Sequence, residues 1–125
     1  MHEKLLEIRW SDLDAFEHVH NAAYLVYLEE CRDEWLESVL RETGTSSDFV
    51  IARVAIDYRR ELRLEDEMVA VTCRLERVGT SSLTTHEEIR TGGEPAAEAE
   101  AVLVPRGGDG RSRPLSAAER AALEA

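Results

Sequence analysis

Residues 9–32 read RWSDLDAFEHVHNAAYLVYLEECR and combine two different patterns. The first part is polar and irregular, with carboxylates at Asp12 and Asp14. From Asn21 onward the apolar residues recur at helical spacing, which predicts a long helix of about five turns with Asn21 as its N-cap. A carboxylate held near a helix N-terminus suits catalysis, because the helix end offers free N–H donors and a partial positive charge.

One face of the predicted helix is apolar and has to be buried. The members of this face and of its border are Leu25, Leu28, Arg32, Trp35, Leu36, Val39 and Leu40. Acidic residues cover the remaining surface, which is typical of an amphipathic helix. Glu30 and Arg32 are expected to make surface or interface contacts.

Five segments with period-two apolar patterns accompany this helix, one before it and four after it. The first contains Leu6, Ile8 and Trp10, and the others span residues 50–58, 69–75, 83–89 and 97–103. Gly79 and Thr80 mark a hairpin turn between the third and fourth segments. No strand–helix–strand alternation occurs, so a doubly wound parallel sheet is not expected. The pattern predicts an α+β fold, in which an antiparallel sheet of about five strands wraps around one long helix.

The chain of 125 residues is expected to form a single domain over residues 1–125. Three glycines in residues 106–114 predict a flexible loop. Residues 116–125 are expected to form a short terminal helix, with Ser116 as its N-cap and Glu119 at the capping-box position.

Composition and charge narrow the function classes. Asp plus Glu number 26 against 15 Lys plus Arg, a formal charge of −11, which argues against binding to nucleic acid or to an anionic membrane surface. The spacing of Cys31 and Cys73 suggests neither a zinc site nor a disulfide, and reduced thiols are expected. The first residues lack an apolar signal-peptide region, so a cytoplasmic protein is expected.

The motifs of this chain resemble those of hotdog-fold thioesterases of the 4-hydroxybenzoyl-CoA thioesterase and acyl-CoA thioesterase type. The resemblance rests on RWSDLD at 9–14, HVHN at 18–21, Tyr24 and EECR at 29–32. The segments IDYRR at 56–60 and GTSS at 79–82 add weaker matches. Together these motifs cover the chain from about residue 5 to about residue 104.

The resemblance implies the hotdog fold and hydrolysis of an acyl thioester to a free acid and a thiol. Asp14 would be the nucleophile or the general base, and the helix N-terminal amide near Asn21 would polarise the carbonyl. No metal or redox cofactor is implied, because coenzyme A is part of the substrate. The family places its sites between subunits, which implies a homodimer or homotetramer, with the segment 50–58 as the contacting strand.

Two positions depart from the family pattern. Glu17 stands where the family usually has glycine, and it could raise the pKa of Asp14 or narrow the acyl pocket. His20 stands where asparagine is frequent. Glu17 keeps a second function open, namely a non-catalytic hotdog protein that binds an acyl thioester or an acyl carrier protein.

Further candidates surround the central motif. His18 either packs in the turn or lines the site and orients water, whereas a metal site of His18, His20 and Asp14 is not expected. Tyr24 is expected to line the acyl pocket. Asp12 is expected to hydrogen-bond to backbone in the loop and to position Asp14.

Two groups further along the chain are candidates for binding coenzyme A. Arg59 and Arg60, with Arg63, either dock its phosphates or simply pair with neighbouring glutamates. Ser81 and Ser82 either reach the nucleotide or pantetheine, or serve only the turn.

Overall fold

The structure is a computed structural model that describes residues 1–125. Its strands and helices are β1 (His2–Glu7), α1 (Asn21–Val39), β2 (Phe49–Tyr58), β3 (Met68–Val78), β4 (Leu83–Thr91), β5 (Glu94–Pro105) and α2 (Ala117–Glu124). Three short 3-10 turns, Trp10–Asp12, Ser46–Asp48 and Leu64–Asp66, connect them. The predicted order of one strand, one long helix and four strands is confirmed. Neither helix is long and apolar enough to cross a membrane.

The five strands form one antiparallel sheet in the order β1-β3-β4-β5-β2. The helix α1 packs on one face of this sheet, which is the predicted hotdog architecture. β2 forms one edge of the sheet and contains a bulge between Ile51 and Arg53. Tyr58 at the end of β2 lies beside Ala97, whereas the β3–β4 hairpin lies at the opposite end of the sheet.

The buried stripe of α1 lies on a slightly different face from the one predicted. Its members are Tyr24, Tyr27, Leu28, Cys31, Arg32, Trp35 and Leu36. Leu25 keeps 39% of its surface exposed. The N-cap is His20 rather than Asn21, because the Nδ1 atom of His20 accepts the Ala22 N–H at 3.0 Å. The imidazole of His20 therefore caps the helix in place of the Asn21 side chain.

The helix α1 packs against β3, β1 and β4. Ala97 and Ala101 of the neighbouring β5 are fully buried. The expected surface role of Arg32 is wrong, because Arg32 and Glu87 of β4 are both buried and form a two-bonded ion pair at 2.8 and 2.9 Å. Cys31 and Cys73 are buried free thiols in the same core. Burial raises the pKa of Cys31 to about 11, which leaves it protonated at neutral pH.

The first strand ends earlier than its pattern predicted. β1 stops at Glu7, Ile8 is buried, and Trp10 lies in a 3-10 turn with 80% of its surface exposed. The turn forms because the Asp12 carboxylate accepts the Arg9 N–H at 2.9 Å. Trp10 is therefore available at the surface instead of contributing to the core.

The C-terminal segment is attached to the β3–β4 hairpin, because the Leu115 N–H donates to the Thr80 carbonyl at 3.0 Å and Arg120 donates to the Gly79 carbonyl at 2.8 Å. Ser116 and Glu119 form a capping box at the start of α2. Arg113 donates to both oxygens of the buried Glu119 carboxylate at 2.7 and 2.8 Å. The preceding loop contains hydrogen-bonded turns, one of which joins the Gly107 N–H to the Arg111 carbonyl at 2.8 Å. Its predicted flexibility stays a prediction.

Candidate active site

Asp14 begins a tight turn just before α1. An isolated antiparallel bridge between Leu13 and Val19 closes the base of this turn. Asp14 Oδ1 accepts the Phe16 N–H at 2.8 Å and the His18 N–H at 3.1 Å. Neither bond involves Oδ2. The carboxylate is thus oriented through one oxygen, and the other oxygen is free to react.

The pKa of Asp14 lies below its ordinary value. Partial desolvation raises the pKa, but the two amide hydrogen bonds and the nearby His18 and His20 lower it by more. The pKa of Asp14 is thus lowered, whereas Glu17 was expected to be able to raise it. Asp14 is therefore a carboxylate at neutral pH, the form needed by a nucleophile or a base.

Asp12 is placed very differently from Asp14. Only 6% of its surface is exposed, and its oxygens accept from the Arg9 backbone at 2.9 Å, the Arg9 guanidinium at 3.0 Å and the Tyr27 hydroxyl at 2.7 Å. The predicted backbone hydrogen bond is present. No hydrogen bond joins the two aspartates. The Asp12 carbonyl accepts the His20 N–H at 2.8 Å, so Asp12 fixes the base of the turn.

A surface cavity of about 710 Å³ opens beside Asp14. Its lining consists of Trp10, Ser11, Leu13, Asp14, Glu17, Leu64 and Glu65. Glu17 has φ +65°, in the left-handed region that favours glycine. The site therefore combines an apolar wall with three carboxylates.

A second, smaller cavity of about 210 Å³ lies at the start of α1. Its lining consists of Asn21, Tyr24, Tyr58, Arg59, Arg60 and Glu61. No protein group accepts the Asn21 N–H. This amide is therefore available to a carbonyl oxygen, as expected for a helix N-terminus. Asp14 is not part of this lining, so the two predicted catalytic groups face separate cavities within one chain.

Tyr24 supports the smaller cavity from below. Its hydroxyl donates to the Arg60 carbonyl at 3.0 Å and accepts the Leu62 N–H at 2.9 Å. Its ring packs edge-on against Tyr58, with the ring centres 5.0 Å apart. These contacts leave only 3% of Tyr24 exposed, so little of its surface is open to the cavity.

His18 contacts one lining residue of each cavity. Its backbone N–H is bonded to Asp14, and its Nε2 lies 3.4 Å from a carboxylate oxygen of Glu61. His18, His20 and Asp14 do not form a group with converging ligand atoms. The group that does so is His86, Glu88 and Glu98 on β4 and β5, which the sequence reasoning missed. Period-two spacing could have placed His86 and Glu88 on one face of β4.

The arginines predicted to bind phosphate are paired with acidic residues. Arg59 lies 2.8 Å from Glu98, and Arg60 lies 3.1 Å from Asp66 and 3.2 Å from Glu94. Both arginines nevertheless line the cavity at the helix start. A phosphate would have to compete with these carboxylates.

Ser81 and Ser82 lie in the β3–β4 hairpin, at the end of the sheet opposite to Tyr58. Ser82 has a turn role, because its carbonyl accepts the Gly79 N–H at 2.8 Å. A Cβ atom at Gly79 would lie only 2.8 Å from Ser82 Oγ. Within one chain these serines are not brought to the Asp14 turn.

This combination of a hotdog sheet and a carboxylate turn before the central helix is that of a thioesterase-like protein. The sequence model of the thioesterase-like superfamily matches residues 8–123, and the chain belongs to this family. The chain is 35% identical to the long-chain acyl-CoA thioesterase FadM of Escherichia coli over 80 residues, which is 62% of this chain. The match spans 60% of the length of FadM.

Solved structures show the same fold. A thioesterase from Thermus thermophilus, crystallised with coenzyme A and Zn, superposes with a TM-score of 0.90 at 35% identity. That comparison covers 98% of this chain and 91% of the other. A 1,4-dihydroxy-2-naphthoyl-CoA thioesterase from Synechocystis superposes with a TM-score of 0.81 at 17% identity, over 98% of this chain and 94% of the other. The latter likeness concerns the fold alone.

Proposed function

We propose that this protein hydrolyses acyl-CoA thioesters to a free acid and coenzyme A. The observation that carries the proposal is the Asp14 carboxylate, fixed through Oδ1 by two amides and free at Oδ2. The likeness to FadM and to a thioesterase crystallised with coenzyme A supports the substrate class.

Asp14 would act in one of two ways. In the first, Oδ2 attacks the thioester carbon, the C–S bond breaks, and the thiolate leaves; water then hydrolyses the resulting anhydride. In the second, Asp14 takes a proton from a water molecule as the water attacks the same carbon. Both routes consume one water and release one acid and one thiol.

The N–H of Asn21 would stabilise the negative charge that develops on the carbonyl oxygen. It is unpaired within the chain and lies at the positive end of a 19-residue helix. One such donor typically contributes about 3 kcal/mol to the lowering of the barrier. The attacked carbon and the stabilised oxygen belong to one carbonyl, so this carbonyl would have to bind at the turn between the two cavities, where His18 would orient it or a water molecule.

The coenzyme A part would use the cavity at the helix start. Arg59 and Arg60 would exchange part of their present ion pairs for the phosphates of the ligand. Tyr24 would set the depth of this cavity, since its hydroxyl is fixed by two backbone groups.

A second copy of the chain would complete the site. The β2 edge has no partner strand on its outer side, and edge strands commonly pair with another chain. Antiparallel pairing of β2 with its copy would bring the partner's hairpin to the Tyr58 end of the sheet. Strand β4 of the partner's hairpin would lie three strand spacings from β2, about 14 Å. Ser81 and Ser82 of the partner subunit would then be available to an extended ligand, and we propose a homodimer or a dimer of dimers.

A panel of acyl-CoA thioesters tests the activity through release of free thiol. The proposal expects turnover of at least one member, by a species with twice or four times the mass of the chain. Binding of the thioesters without any turnover would instead establish the non-catalytic binding function. Full activity in a monomer would refute the proposal that two copies of the chain form the site together.

A further inference from the structure

The backbone of Glu17 is unusual for its residue type. Only two residues other than glycine have positive φ, namely Glu17 and Glu67, both at +65°. A side chain with a Cβ atom is disfavoured there, and such residues are found at functional sites more often than elsewhere. Glycine would satisfy this backbone at lower cost.

The Glu17 side chain has no structural partner. It takes part in none of the salt bridges, and none of the side-chain hydrogen bonds involves its carboxylate. The side chain instead lines the 710 Å³ cavity next to Asp14. The Glu17 carboxylate is therefore free to contact a ligand that enters this cavity.

The cavity has a definite chemical character. Trp10, Leu13 and Leu64 provide its apolar surface, and its charged residues are the carboxylates Asp14, Glu17 and Glu65. No lysine or arginine lines it. An uncharged apolar group is accepted by such a surface, whereas an anionic group meets like charges without a compensating cation.

We propose that Glu17 determines specificity, by rejecting acyl groups that carry a negative charge. This inference rests on the proposed thioesterase function and names its substrate class as thioesters of uncharged, apolar acids. Two unit charges a few ångströms apart at a solvated surface change a binding ratio by about 5- to 30-fold. Salt weakens this repulsion, because both charges are accessible to ions.

The test compares two substrates that differ only at the end of the acyl chain. Hexanoyl-CoA ends in a methyl group and adipoyl-CoA, of equal length, ends in a carboxylate. The readout is the ratio of kcat/KM for adipoyl-CoA to that for hexanoyl-CoA, since general effects on the site cancel in it. Glu17→Gln removes the charge and keeps the size, and Glu17→Gly also relieves the backbone.

Both Glu17 variants are expected to raise this ratio by about 5- to 30-fold. Raising the salt concentration should raise the ratio of the wild type more than that of Glu17→Gln, in which only Asp14 and Glu65 still repel the anionic chain end. The matched control is Glu67→Gln, which removes the same charge from a residue with the same φ outside this cavity. It is expected to leave the ratio unchanged.

An unchanged ratio in Glu17→Gln overturns the proposal, and so does an equal rise in Glu67→Gln. If the wild type hydrolyses neither substrate, the proposed thioesterase function fails separately. The same ratio is then measured from the Kd values of the two thioesters. Equal Kd ratios for the wild type and Glu17→Gln would overturn the role of Glu17 in binding as well.

Discussion

Arg32 of α1 and Glu87 of β4 form an ion pair inside the core, with Nε–Oε2 and Nη2–Oε1 distances of 2.8 and 2.9 Å. The side chain of Arg32 is 3% exposed and that of Glu87 is fully buried. Thr85 donates a further hydrogen bond to Glu87 at 2.6 Å. The pair joins the helix to the middle of the sheet and so fixes the helix on which the site depends.

Removing one member of this pair is expected to leave a buried charge without a partner. Arg32→Met or Glu87→Leu alone should lower the free energy of unfolding by about 3–5 kcal/mol. The double variant should lose far less unfolding free energy than the two single variants together, because no uncompensated charge remains. Urea unfolding of the wild type, the two single variants and the double variant measures these free energies. Additive losses would contradict an energetic coupling between Arg32 and Glu87.

Tyr27 is expected to stabilise the base of the catalytic turn through Asp12. Its hydroxyl donates to the buried Asp12 carboxylate at 2.7 Å, a bond to a charged group. Tyr27→Phe should cost about 1.5–3 kcal/mol of unfolding free energy, measured by urea denaturation. Tyr24→Phe is a comparison at the neighbouring tyrosine whose hydroxyl contacts only backbone. A loss below about 0.5 kcal/mol in Tyr27→Phe would show that the bond to Asp12 does not stabilise the turn.

Glu119 is expected to make stability depend on pH under acidic conditions. Its bonds to Arg113, together with those to Ser116 and Thr45, outweigh desolvation and lower the pKa from 4.5 to about 2. A depressed pKa contributes stability above the unfolded value, and this stability is lost as pH falls from about 4.5 toward about 2. The contribution at neutral pH is up to about 3 kcal/mol.

The wild type should therefore exceed Glu119→Gln in stability at pH 7, and the difference should shrink below pH 4.5. Thermal melts across this range measure it. Glu124→Gln in the same helix changes an exposed residue and should alter stability by less than about 0.5 kcal/mol. A constant difference between wild type and Glu119→Gln at all pH values would show that the ion pair does not depend on this titration.

The periodic parts of the fold could be predicted from sequence because they depend on local patterns. The long helix and four of the strands follow directly from apolar spacing. Period two also places Glu87 on the apolar face of β4, and helical spacing places Arg32 on the apolar stripe. Each residue alone argues for a surface position, and only the fold shows that the two meet.

The details of the site depended on contacts that spacing does not encode. Trp10 fits a strand pattern, but the Asp12 carboxylate closes a turn that leaves the indole exposed. The helix begins with His20 as its cap, because an imidazole nitrogen can replace a side-chain amide. The left-handed backbone of Glu17 could not be predicted from residue spacing, although the family resemblance indicates glycine at this position.

The most direct test of the account is the rate of thiol release by Asp14→Asn. Asparagine retains an oxygen that can accept the Phe16 and His18 amides, but it is neither a nucleophile nor a base. The matched control is Asp109→Asn, because Asp109 also accepts a main-chain N–H two residues ahead, at 3.0 Å, in a loop outside the site. The account predicts that Asp14→Asn lowers kcat by about 10²- to 10⁴-fold and that Asp109→Asn leaves it unchanged. Full activity in Asp14→Asn, with its folding intact, would contradict the role of Asp14 in catalysis.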